Sequence, residues 1–130
     1  MPMMDLQPEA KSPTQLIDWI ALCKRYGNRQ GFIDKLFRIS YASHVDMLEK
    51  LRSAIQKSDL EAIAFIAHGL RGTASNLEAQ EVRDWATKTE ENVRAGRPDH
   101  MALADELARR LERLLAELAG RLKGGADSAQ

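Results

Sequence analysis

No proline falls between Pro13 and Pro98, and across that interval apolar residues return every three or four positions rather than every second one. A chain with that spacing and no proline to interrupt it folds as helices and not as strands. β-branched residues are scattered, without the alternating runs a sheet requires. Five helical segments follow from the pattern. The first opens at Ser12, with Pro13 at its first position and Gln15 three residues on, an arrangement suited to a helix start, and Gly27 ends it. The second runs from about Asn28 to Lys57, with Ile33, Phe37, Leu48, Leu51 and Ile55 on one stripe and Tyr41 and His44 beside it. The third starts at Ser58, with Glu61 three residues later, and reaches Leu77. The fourth covers about Ala79 to Ala95, turns Val82, Trp85, Ala86, Thr89 and Val93 inward, and stops at Gly96. The fifth follows Pro98 and Asp99 and carries Leu107, Leu111, Leu114, Leu118 and Leu122.

Four amphipathic helices with short connections pack most simply as an antiparallel up-down four-helix bundle, an all-α fold, with the short first helix covering one end. A chain of 130 residues suits one such core. The domain is expected over residues 12–123, between flexible tails at 1–11 and 124–130. Lys plus Arg and Asp plus Glu both number 19, so the basic excess that nucleic acid or an anionic membrane would demand is missing. Cys23 is the only cysteine; it sits in an apolar-periodic stretch and reads as a packing residue. One cysteine, no apolar leader in the N-terminal sequence and no apolar run of about 18 residues give a cytoplasmic protein as the expectation. Since the bundle buries its own stripes, a monomer is expected.

The segment "AHGLRGTASNL", residues 67–77, breaks the economy of the third helix. Gly69 and Gly72 each cost about 1 kcal/mol relative to alanine inside a helix. Helical geometry, at roughly 100° per residue, gathers Leu60, Ile63, Ala67, Leu70, Ala74 and Leu77 on the core side. His68 points the other way, in company with Glu61, Ala64, Phe65, Arg71, Gly72 and Ser75. An outward imidazole is a nucleophile near neutral pH. Arg71, one turn along, supplies the fixed charge that a phosphoryl group would meet, and Ser75 a hydroxyl. Gly69 and Gly72 clear an approach to the ring, while Ala64 and Phe65 offer an apolar docking patch. His44 borders the core stripe of the second helix and His100 opens the fifth. Neither has ligand spacing with His68, so no metal site is expected.

The run His68-x-Leu70-Arg71-Gly72, followed by Ser75-Asn76-Leu77 and Ala79, resembles the histidine-containing phosphotransfer (HPt) domains of two-component phosphorelays. The likeness extends through "YGNRQGFIDKLFRI" and "SDLEAIAFIAHGLRG". The resemblance implies that His68 accepts a phosphoryl group from one receiver-domain aspartate, in a hybrid kinase or a response regulator, and gives it to another. It implies Arg71 as phosphate-stabilising and Gly72 as the clearance position. Family members often place an amide and a basic residue on the following helix; by register these are Glu90 and Arg94. Arg94 joins the expected site, whereas Glu90 is left out because an inward carboxylate would repel phosphate. Glu78 is a second departure, standing where the family has glycine at a turn that calls for positive φ. No cofactor is implied for this chain; Mg²⁺ is expected on the receiver.

The chain has no Gly-rich nucleotide-binding segment, so it is expected to be a phosphocarrier and not a kinase. The phosphoacceptor domain of a sensor kinase is a poorer match, since Gly69 and not an acidic residue follows His68, and no proline follows closely. The chemotaxis-kinase phosphotransfer bundle is a nearer relative of the pattern. The reading from a different class is a helical interaction module, with an incidental His68 and a leucine-spaced last helix that serves partner helices.

Overall fold

The computed structural model of the protein describes residues 15–128, with side chains as far as Lys123. It contains five helices: α1 (Trp19–Tyr26), α2 (Gln30–Gln56), α3 (Leu60–Asn76), α4 (Gln80–Arg94) and α5 (His100–Ser128). α2 packs on α3, α3 on α4, α4 on α5 and α5 back on α2, which closes an up-down four-helix ring. Its axis is filled by Ile33, Phe37, Leu51, Ile63, Leu70, Val82, Leu107, Leu111 and Leu114, all 2% exposed or less. The five-segment reading therefore holds, and α3 and α4 form the most extensive of the four seams. α5 continues past Lys123 to Ser128.

Two helix starts differ from the expected ones. Ser12 and Pro13 lie outside the described residues, and residues 15–18 are not helical. The amides of Leu16 and Ile17 turn instead to the Glu117 carboxylate on α5, at 2.6 Å and 3.4 Å. Asp18 then starts α1 by accepting the Ala21 amide at 3.1 Å. At α3 the starting cap is Asp59, which accepts the Ala62 amide at 3.1 Å, and not Ser58. Ser58 is occupied by the end of α2, where its φ is +53°. Leu60, expected in the core stripe, is 36% exposed because it begins the helix.

One device ends four helices. A left-handed residue lets the next amide reach back five positions to an otherwise unpaired carbonyl. Gly27 (φ +66°) brings the Asn28 amide to the Cys23 carbonyl, and Ser58 brings Asp59 to Ala54. Glu78 (φ +57°) likewise brings Ala79 to Ala74, and Gly96 (φ +70°) brings Arg97 to Asn92. Glu78 thus keeps the backbone for which the family uses glycine. Its carboxylate is held by Arg25 at 3.0 Å, and Arg25 also donates to the Ser75 carbonyl at 2.7 Å. Tyr26 Oη donates to the Asn76 carbonyl at 2.8 Å, so α1 fastens the C-terminal end of α3.

α1 covers one end of the bundle, as expected. Leu16, Ile17 and Leu22 are fully buried, and Trp19 meets Phe37 edge-on at 6.3 Å under the Arg121 guanidinium. Trp85 is half-buried, with Lys88 and Arg110 over its ring; Arg110 also pairs with Glu81. His44 is 1% exposed between α2 and α3. Its Nδ1–H donates to the Ser40 carbonyl at 2.8 Å, and Nε2 accepts from the Thr73 hydroxyl at 2.9 Å.

Two predictions follow from this packing. Burial holds the His44 pKa below its ordinary value, against the opposing pull of the Ser40 carbonyl. The unfolded chain therefore binds this proton more readily than the folded one. The stability that neutral His44 supplies is present above about pH 6.5 and is lost as pH falls below it. Urea midpoints should drop between pH 7.5 and 5.5 in the wild type, and less in His44→Gln. At the α3–α4 turn, Glu78→Gly relieves about 1 kcal/mol of left-handed strain and gives up an ion pair worth about 0–1 kcal/mol. Thermal melts should find it as stable as wild type or slightly more so, with Glu78→Val less stable by more than about 1 kcal/mol.

Candidate functional site

His68 stands on the flank of α3 away from the core, its side chain 67% exposed. The ring is not free to swing. Nδ1 lies 3.0 Å from Glu90 Oε2 on α4, and because an ionised carboxylate only accepts, Nδ1 is the nitrogen that bears hydrogen. In the neutral ring Nε2 then keeps its lone pair and is left for an incoming group.

Glu90 is the centre of the cluster and not a bystander, contrary to the expectation that it stays outside. Its side chain is 7% exposed. Oε1 accepts from Arg71 at 2.9 Å, and Oε2 accepts from Arg94 Nε at 2.9 Å as well as from His68. Burial alone would push this carboxyl upward. The hydrogen bonds from Arg71, Arg94 and His68 outweigh it and hold the pKa below the ordinary carboxylate value. The repulsion that excluded Glu90 on sequence grounds is met by two guanidinium groups, so the cluster of Glu90, Arg71 and Arg94 carries one net positive charge. Each arginine binds Glu90 through one nitrogen and remains partly exposed, at 42% and 60%.

The other expected site residues divide. Gly72 is exposed, and a Cβ built on it would meet nothing within 4 Å. Phe65 is 77% exposed and lines a hollow of about 230 Å³ with Met47, Lys50, Ile66, His68 and Gly69. Ala64 is a correction: at 4% exposure it is buried and offers nothing to a docking partner. Gly69 is half-buried, and a Cβ there would come within 3.1 Å of Met47 Cε. Its small size thus serves the approach of α2 as well as the surroundings of the ring. Ser75 lies two turns beyond His68, about 10 Å along the axis, and helical side chains lean toward the N-terminus, so the ring leans away from it. Its carbonyl is held by Arg25. The structure brings together His68, Arg71 and Arg94, adds Glu90, and leaves Ser75 aside. The register that placed Arg94 one turn after Glu90 was the signal available for Glu90.

His100 has no bond to this cluster; its Nδ1–H donates to the Arg97 carbonyl of its own turn at 2.8 Å. Among the described residues no group of three or more His, Cys, Asp or Glu side chains is placed to hold a metal ion. Among them, too, no helix is long and apolar enough to cross a membrane.

The Hpt domain profile matches residues 35–120, a span that contains His68, Arg71, Glu90 and Arg94. The chain is also similar in structure to histidine-containing phosphotransfer protein B (HptB) from Pseudomonas aeruginosa PAO1. The TM-score is 0.72 at 22% identity, over 91% of this chain and 98% of that one; at that identity the likeness speaks for the fold. No curated protein sequence gives a significant match. The match over most of the chain, with an outward histidine at the motif position, places the protein in the Hpt domain family as a histidine phosphotransfer protein of a phosphorelay.

Proposed function

We propose that Nε2 of His68 is the atom that carries the phosphoryl group between receiver-domain aspartates. The observation that carries this reading is the pairing of a 67% exposed ring with a buried carboxylate on Nδ1, which fixes the tautomer of the neutral ring and presents Nε2 to solvent. In the accepting step the Nε2 lone pair attacks phosphorus of an aspartyl phosphate. The P–O bond to the aspartate breaks and its electron pair leaves with the carboxylate. In the donating step a second carboxylate attacks phosphorus, the P–N bond breaks, and its pair returns to Nε2. Nδ1 keeps its hydrogen in both directions.

Arg71 and Arg94 fit the role of stabilising the phosphoryl oxygens with the guanidinium N–H groups that Glu90 does not use. Phe65 and the open face at Gly72 fit a small, transient docking surface, on the order of 1,200 Å² or less. The protein would act as a carrier without kinase activity of its own, in the cytoplasm and as a monomer, with Mg²⁺ and the acidic residues that bind it supplied by the receiver. A helical interaction module without phosphotransfer is the competing reading. The carboxylate on Nδ1 favours the carrier, because an incidental surface histidine needs no such support.

Incubation with a phosphorylated receiver should place acid-labile, base-stable label on the wild type and none on His68→Gln. Equal label on both, or none on the wild type, would leave the interaction module standing. Gly72→Ala should fold and gain up to about 1 kcal/mol in helix stability, since nothing opposes its Cβ. Gly72→Trp should fold yet lose transfer at least about tenfold, a cost of about 1.4 kcal/mol. Transfer by Gly72→Trp at the wild-type rate would remove Gly72 from the docking face.

A further inference from the structure

We propose that Glu90 is a positioning residue that keeps the proton on Nδ1 while the ring is phosphorylated, so that His68 can leave phosphorus as a neutral imidazole. The proposal rests on His68 being the phosphoacceptor. Once Nε2 holds phosphorus, the ring bears a positive charge as long as Nδ1 keeps its hydrogen. If that proton is lost first, breaking the P–N bond must expel an imidazolate anion, a far poorer leaving group. Whatever holds the Nδ1 proton therefore holds the protein in its donating form.

The surroundings favour retention. Glu90 accepts the Nδ1 hydrogen at 3.0 Å with a side chain only 7% exposed, where an ionic hydrogen bond is weakly screened. Arg71 on α3 and Arg94 on α4 are cations that would drive the proton off, but both are bound to the same carboxylate at 2.9 Å. On α2, Asp46 and Lys50 share the hollow beside the ring. They pair with each other at 3.0 Å with side chains 58% and 67% exposed, so their opposite charges largely cancel and are screened. α5 packs on α2 and α4 rather than on the His68 helix. Among the described residues, Glu90 is thus the one charge that both touches the ring and is shielded from water.

The test uses the full-length, ¹⁵N-labelled protein phosphorylated with potassium phosphoramidate, with ³¹P and ¹⁵N NMR following the phosphorylated His68 ring from pH 5 to 10. In Glu90→Gln, which keeps the shape and loses the charge, the ring should titrate at least about one pH unit lower, a tenfold weaker hold on the proton. Onward transfer to a receiver should fall away at correspondingly lower pH. Ring midpoints within 0.3 units, on the order of 0.4 kcal/mol, would overturn the proposal. Should Glu90→Gln fail to fold, the wild type decides. Its phosphorylated ring must titrate above a phosphohistidine in an unstructured peptide, and a midpoint at or below the peptide's would overturn it. A wild type that takes up no phosphoryl group on His68 sinks the phosphoacceptor reading itself, whereas a phosphorylated wild type with the peptide's midpoint sinks only the role of Glu90.

Discussion

Because α3 gives Ile63, Ala67, Leu70 and Ala74 to the core, its remaining surface must face solvent, α2 or α4. That division settles where every residue around His68 lies. Ala64 is closed over; Gly72 and Phe65 stay in the open. His68 sits at the border, where its ring projects outward while one nitrogen still reaches the α4 carboxylate. A fully exposed histidine would have no fixed orientation, and a buried one no access. The extensive α3–α4 seam supplies the intermediate position.

Electrostatics at that border are cooperative. A buried carboxylate without partners would take up a proton, yet Glu90 remains ionised because two guanidinium groups and an imidazole donate to it. The same bonds fix the arginines beside the ring with donors to spare. Removing any member leaves the others less ordered, so the four side chains act as one unit.

How much of this was legible in the sequence depends on what each residue's position obeys. The stripes Ile63–Leu70–Leu77 and Leu107–Leu111–Leu114 follow helical period alone, and they gave the bundle. His68, Arg71 and Gly72 share a face for the same reason. The place of Glu90 is not legible, because partners that neutralise its charge lie across the seam and pairing between helices has no period to read. Ala64 sits one turn from His68, but a turn is not a whole number of residues, and the small rotation left over carries it to the buried side. At the N-terminus, Pro13 and Gln15 satisfied a local rule, while Glu117, a hundred positions away, competes for the amides of Leu16 and Ile17.

The four left-handed caps bear on how the molecule moves. Between α2 and α3, and again between α3 and α4, the chain changes direction within three residues, and the amide that closes one helix belongs to the residue that opens the next. Such corners leave no slack. Neighbouring cylinders cannot slip lengthwise past each other without breaking bonds at both ends, so the histidine and its supporting carboxylate, carried on adjacent cylinders, stay in step. A visiting protein meets a mount that is already aligned, and its departure leaves nothing to be reset.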